Sequence, residues 1–269
     1  MLKNVLTLAI CILTAFHISA QDYSLLAGAR SEGFAHATVA VEDVFSTFHN
    51  PSLLAWNDQN YVGLSGRNHF LVSTMNSGYG VGAFRAGNGN AGFNFKYEGS
   101  STYYNLRAGG YYAMHFGEIL AASVGLNLYQ HRIQGYDASF AFTADVGLTG
   151  NFDKLKLGFY WGNVNQGEYT GTFTENIPNY LRFGGAYYIL ENFIISLEGL
   201  QELGEEFGAR GGIEYTIEEI LAIRFGYSSL PRQTSMGVSL YINEFSIDMA
   251  GSWHPMLGFS PHIGATYRW

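Results

Sequence analysis

From Leu120 to the last residue the chain alternates apolar and polar positions, run after run. Over 120–128, Leu120, Ala122, Val124, Leu126 and Leu128 take one side, and Ala121, Ser123, Gly125 and Asn127 the other. Over 140–149, Phe140, Phe142, Ala144, Val146 and Leu148 oppose Ala141, Thr143, Asp145, Gly147 and Thr149. The same phase returns at Leu221, Ile223, Phe225 and Tyr227, at Met236, Val238, Leu240 and Ile242, and at Phe245, Ile247, Met249 and Trp253. A period of two means β-strand, because successive side chains point to opposite faces. Several runs reach about ten residues, the length a tilted strand needs to cross a bilayer. Strands of soluble sandwiches are shorter, about five or six residues.

The connections carry a second pattern. Short turns are expected at 116–118, 151–154, 190–192, 218–220 and 243–244, and longer loops at 130–137, 163–178, 201–206, 228–234 and 254–259. Read this way, short and long alternate without exception from residue 116 onward, as in a barrel with tight turns on one side of a membrane and loops on the other. With further strands near 60–67, 78–86, 91–98 and 104–115, the expectation is an all-β, transmembrane antiparallel β-barrel of about fourteen strands. The N-terminal third is less regular, which leaves about twelve open.

Both ends of the chain fit export. Lys3 and the apolar stretch Val5 to Ile18, too short to span a bilayer as a helix, followed by Ser19-Ala20, read as a signal peptide over 1–20. At the other end His262-Ile263-Gly264-Ala265-Thr266-Tyr267-Arg268-Trp269 alternates to the final residue. It resembles the terminal strand of bacterial outer-membrane barrels, in which such a pattern is read by the barrel-assembly machinery. That resemblance makes Gly264, Tyr267 and Trp269 the expected assembly signal, and the alternation of short and long connections counted back from Trp269 puts both termini in the periplasm.

Composition changes the picture in one direction. Charged residues make up 13% and aromatic residues 16%, against about 25% charged in a typical soluble domain. Mean hydropathy is +0.01, and after Ile18 no apolar run is long enough for a helical span. The only cysteine, Cys11, lies inside the signal, so no disulfide framework or thiolate metal site is expected. A net charge of −8 makes nucleic acid an improbable partner. Strand charges fall on the polar phase: Asp145, Lys156, Arg182, Glu198, Arg210, Glu214, Arg224, Asp248 and Arg268. A charge on the lipid face would cost a few kcal/mol, so this face is expected to line the lumen as a mixed-sign network. The turn at 218–220 sets Glu214 across from Arg224.

Residues 21–58 break the alternation. Gly28-Ala29-Arg30, then Gly33, Val39-Ala40, Asp43 and Asn50-Pro51-Ser52-Leu53-Leu54 resemble the N-terminal signature of the PorV/PorQ family, relatives of the FadL transporters. The resemblance implies a fourteen-stranded barrel (59–269) with 21–58 folded inside as a plug. It makes Gly28, Ala29, Arg30, Gly33, Asp43, Asn50 and Pro51 the plug motif, with Arg30, Glu42 and Asp43 set to meet Glu198, Arg182, Arg210 or Arg224. Asn50 before Pro51 suits an extended residue that closes the segment.

For function, the resemblance implies a non-enzymatic outer-membrane barrel of a Gram-negative bacterium, an accessory of type IX-like protein secretion with secretion-system or other envelope proteins as partners, besides outer-membrane lipid. The alternative is a FadL-like channel for hydrophobic small molecules. No cofactor and no metal are expected: His115, His131, His254 and His262 lack ligand spacing. His131 and His254 lie near loops with serines nearby, but no nucleophile-elbow motif accompanies them.

Overall fold

A computed structural model describes residues 26–171 and 176–269. The signal-peptide expectation over 1–20, and the start of the plug segment, lie outside the described residues. Fourteen strands form one closed antiparallel barrel: β1 (Tyr61–Asn68), β2 (Asn76–Ala86), β3 (Gly89–Gly99), β4 (Tyr103–Phe116), β5 (Leu120–Ile133), β6 (Ser139–Phe152), β7 (Leu155–Gly162), β8 (Tyr180–Leu190), β9 (Phe193–Glu202), β10 (Gly208–Ile217), β11 (Leu221–Ser229), β12 (Arg232–Ile242), β13 (Phe245–His254) and β14 (Gly258–Arg268). Every strand pairs with its sequence neighbours, so the count of twelve is excluded. Closure is made by β1 against β14, with Tyr61 opposite Arg268 and Arg67 opposite His262. Asn60 and Trp269 extend the seam by exchanging backbone hydrogen bonds of 3.0 Å in both directions.

The phase read from the sequence is the phase of the wall. Leu126 is 55% exposed and Ile263 57%, whereas Asn127 is 1% and Thr266 4% exposed. A closed sheet leaves no unpaired edge, and its outward apolar band is what a bilayer requires. Aromatic rings gather on this wall near the chain end: Tyr267 lies 4.6 Å from Phe245 and 5.6 Å from Trp269, centroid to centroid.

The connections correct one expectation. One rim, which also holds the start of β1 and the end of β14, carries turns at 87–88, 117–119, 153–154, 191–192, 218–220 and 243–244. The far rim carries 69–75, 100–102, 134–138, 163–179, 203–207, 230–231 and 255–257. Long loops do fall on the far rim, but the strict alternation fails there. The connection expected over 228–234 is only Leu230 and Pro231, and Ser229 still pairs with Arg232. Likewise β5 runs to Ile133 and pairs His131 with Ser139. At a barrel end that stands clear of hydrocarbon the outward residues are free to be polar, so polarity stops marking where a strand ends.

Candidate functional site

Residues 26–56 run inside the barrel and fill its lumen. Gly28 enters with φ +91, and a Cβ there would sit 2.9 Å from the Phe45 ring, so both its backbone and its surroundings demand glycine. A short helix, Ala29–Gly33, packs Gly33 against the wall: its missing Cβ would lie 3.1 Å from Arg224 Cβ and 3.2 Å from Gly237 Cα. Ala35 and His36 then take left-handed φ of 51° and 62°, which turns the chain back along itself. Phe34 seats where β10 and β11 offer Gly212 and Gly226; a Cβ on Gly226 would stand 2.4 Å from the Ala35 nitrogen. The segment ends on Asn50, extended at φ −159, whose side chain accepts from the Ser52 N–H at 3.3 Å and donates to the Val39 carbonyl at 2.8 Å. Pro51 opens the 3-10 turn Pro51–Trp56 that leads into β1.

The plug is held by charge as well as by shape. Arg30 donates to Glu214 at 2.7 and 3.0 Å and to the Glu42 carbonyl. Glu214 also receives Arg224 across the strand pair, in the register the turn at 218–220 implies. Arg224 continues to Ser239 and lies 3.8 Å from Asp248. Arg182, fully buried, donates to both Glu198 oxygens at 2.7 and 2.9 Å and to the His36 and His49 carbonyls at 2.9 and 3.2 Å. Arg210 stands 3.7 Å from the same Glu198, which also accepts the Val39 N–H at 2.9 Å. Asp145 accepts from Tyr160 at 2.7 Å and Asn127 at 2.7 Å, with Arg107 at 3.5 Å. Lys156 reaches Glu42. Thus Arg30 meets Glu214 rather than Glu198, and the Glu42 carboxylate meets Lys156 rather than an arginine. Asp43 sits before the 3-10 turn Val44–Phe48, with its Oδ2 lacking a hydrogen-bond partner.

One constellation escaped the sequence reading. Glu32, 0% exposed, is surrounded by Arg67 at 3.1 Å, His36 at 2.9 Å and His262 at 3.7 Å. A carboxylate only accepts, so His36 Nε2 carries the proton toward Glu32, and its Nδ1, 2.9 Å from Ser31 Oγ, is free to accept from that hydroxyl. Burial resists ionisation of Glu32, yet Arg67 and His36 outweigh it and hold its carboxyl well below the usual range. Burial pushes His36 down to about 4 against the pull of Glu32, and burial together with Arg182 pushes His49 well down. At neutral pH the plug is therefore anchored by an ionised Glu32 and neutral histidines.

Above the plug, at the far rim, lies a vestibule of about 640 Å³. Its floor and wall include Arg107, Tyr129, Asn105, His131, Tyr169 and Ile177. Arg107 is 2% exposed and sits between rings, 5.3 Å from the Phe48 centroid and 5.4 Å from that of Tyr129. His131 meets Tyr103 edge-on at 4.9 Å and Tyr169 at 5.7 Å. A smaller cavity of about 330 Å³, with Arg30, Asp43, Tyr61 and Arg268 among its walls, opens below the plug. His254 is apart from both, packed against Phe70 at 6.3 Å. Gly264 faces inward opposite Ser65, and Tyr267 and Trp269 face outward at the terminal rim.

The closed fourteen-stranded antiparallel barrel matches the fold of FadL-like outer-membrane channels. The monoaromatic hydrocarbon channel CymD superimposes with a TM-score of 0.69 at 13% identity, over 92% of this chain and 98% of that one. The toluene transporter TodX of Pseudomonas putida gives 0.67 at 12% identity, over 90% and 97%. A FadL homologue of Pseudomonas aeruginosa gives 0.63 at 10% identity, over 89% and 98%. No protein-family model and no curated protein matches the sequence. At such identities the likeness is one of fold.

Proposed function

We propose that this chain is an outer-membrane channel that admits small hydrophobic molecules, aromatic ones foremost, from the cell exterior. In this reading the far rim is external, both termini are periplasmic, and the barrel is set into outer-membrane lipid by the assembly machinery. The observation that carries it is the placing of the tyrosine-walled vestibule directly above a sealed, polar plug. Such a cup is of the size that holds small ligands, about 300–1,000 Å³. The lumen below offers no apolar path, because Arg182, Glu198, Arg224 and Glu214 close it; transport therefore requires the plug to shift. The named neighbours are channels and transporters of hydrocarbons, which favours this reading over the secretion accessory, a role supported by the Gly28–Trp56 resemblance alone.

The test is uptake of labelled toluene by a host whose outer membrane carries the protein, compared with the empty host and with a variant lacking residues 26–56. Uptake above the empty host is expected for the intact protein. Equal uptake with and without it would reject the channel reading, and recovery with envelope proteins at fixed ratio would then favour the accessory role.

A further inference from the structure

Three polar atoms around the vestibule lack a hydrogen-bond partner, although each is withdrawn from water: Arg107 Nη1, Asn105 Oδ1 and His131 Nε2. Buried polar groups are ordinarily satisfied, and an orphan costs about 1–3 kcal/mol. Here the orphans are not scattered. On β4 and β5, Asn105 lies directly across from His131 and Arg107 directly across from Tyr129, and all four line the same cavity. They form one rectangular patch on the inner wall, about 5 Å across the strands and about 7 Å along them.

We propose that this patch binds a hydroxylated monoaromatic molecule, its ring against the tyrosines and its hydroxyl on the unpartnered atoms. The inference rests on the channel reading for its aromatic class and adds the oxygen substituent. Three features of the patch select it. A donor, Arg107 Nη1, and an acceptor, Asn105 Oδ1, both lack a partner, and a hydroxyl can accept from the first while donating to the second, whereas a carboxylate can only accept and a methyl group does neither. The fixed charges are already balanced: Arg107 faces Asp145 at 3.5 Å, and Lys96 is paired with Glu98 at 2.5 Å, so an added carboxylate would bring an unmatched negative charge. Finally, Tyr129 and Tyr169 meet edge-on at 6.4 Å, and aromatic rings favour offset or edge contacts of this kind with a third ring. Arg107 is held from behind by Asn127 at 3.0 and 3.2 Å and by the Tyr111 hydroxyl at 2.7 Å, which fixes the guanidinium for the ligand.

The experiment is equilibrium dialysis of the full chain in detergent against phenol, toluene, benzoate and glucose, each alone. Phenol is expected to bind about five- to tenfold more tightly than toluene, the worth of one hydrogen bond, and more tightly than benzoate. His131→Phe and Asn105→Leu are each expected to reduce that preference, with toluene binding retained. Arg107 itself is left intact because it supports Asp145 and Asn127, and migration as a folded barrel before heating controls for each variant. Phenol no tighter than toluene, unaltered preference in both variants, or binding of benzoate or glucose in place of phenol would each overturn the inference. Phenol binding without toluene uptake in cells would reject the channel and leave the site standing; uptake without phenol preference would reject the site alone.

Discussion

Lowering the pH should loosen the plug, with His36 and His49 as the groups that act. In the folded chain His36 is held near 4, below the ordinary 6.5, foremost by burial. Around it stand Glu32, Arg67, Arg210, Arg182, His49 and His262, from the plug and from β1, β8, β10 and β14. A histidine depressed in the seated state binds fewer protons there than when released, so seating is fully favoured above 6.5 and weakens as pH falls toward 4. Between those limits the loss from His36 alone amounts to about 3 kcal/mol, or about a hundredfold in the ratio of seated to released plug. Glu32, depressed by Arg67 and His36, adds to the loss only below the ordinary carboxylate range, since its contribution is present above 4.5 and disappears as pH falls through its lowered value. Conductance in planar bilayers reads this directly. Openings should become more frequent between pH 6.5 and 4.5 in the native chain, and His36→Gln, which keeps a donor toward Glu32 without a titrating ring, should make the rise shallower over that window, the remainder belonging to His49, which burial also depresses. Equal conductance at pH 7 and 4.5, or the same rise in His36→Gln, would refute the assignment.

Two further outcomes separate charge from shape in the seal. Glu198→Gln leaves Arg182, 0% exposed, without its full counter-charge and should lower stability by about 3–5 kcal/mol, measured as the urea midpoint of barrel unfolding. Gly226→Leu places side-chain atoms where the plug backbone already lies 2.4 Å from the Cβ position; the barrel should still close, while the plug becomes open to protease from the terminal side and conductance rises.

How much of this was legible follows from where each fact is encoded. Strand number and the lipid-facing phase are local, repeated every second residue, and a lipid face tolerates few exceptions. The Glu214–Arg224 pair was legible for the same reason, because a tight turn fixes register. Arg107 and Arg67 were not, since the strands that carry them blur the phase. On β4, Tyr111 points inward and Gly110 outward, and on β1 the outward run is only Val62, Leu64 and Gly66. The Glu32 cluster joins a plug helix to strands at opposite ends of the sequence, and Arg30 reaches a partner 184 residues away. Nothing periodic marks such contacts. Even so, Glu32, His36 and His49 stand in a segment enclosed by the barrel, and an enclosed charge must have a partner.

The plug and the wall specify each other, and this bears on how a channel of this build would work. The segment 26–56 has only a five-residue helix and two 3-10 turns of its own, too little local structure to hold its shape without the barrel. Its shape comes from the glycines that admit its backbone and the arginines that grip its carbonyls. Arg182 binds backbone oxygens of His36 and His49 while it pairs with Glu198, so it recognises a conformation as much as a side chain. Such a lock is all-or-none: a plug shifted by one residue forfeits the carbonyl bonds and leaves the guanidinium buried without them. Opening should therefore proceed as a discrete displacement of the segment rather than a gradual widening of the lumen. The contact most directly placed to trigger it from above is Phe48, whose side chain underlies Arg107 in the vestibule floor.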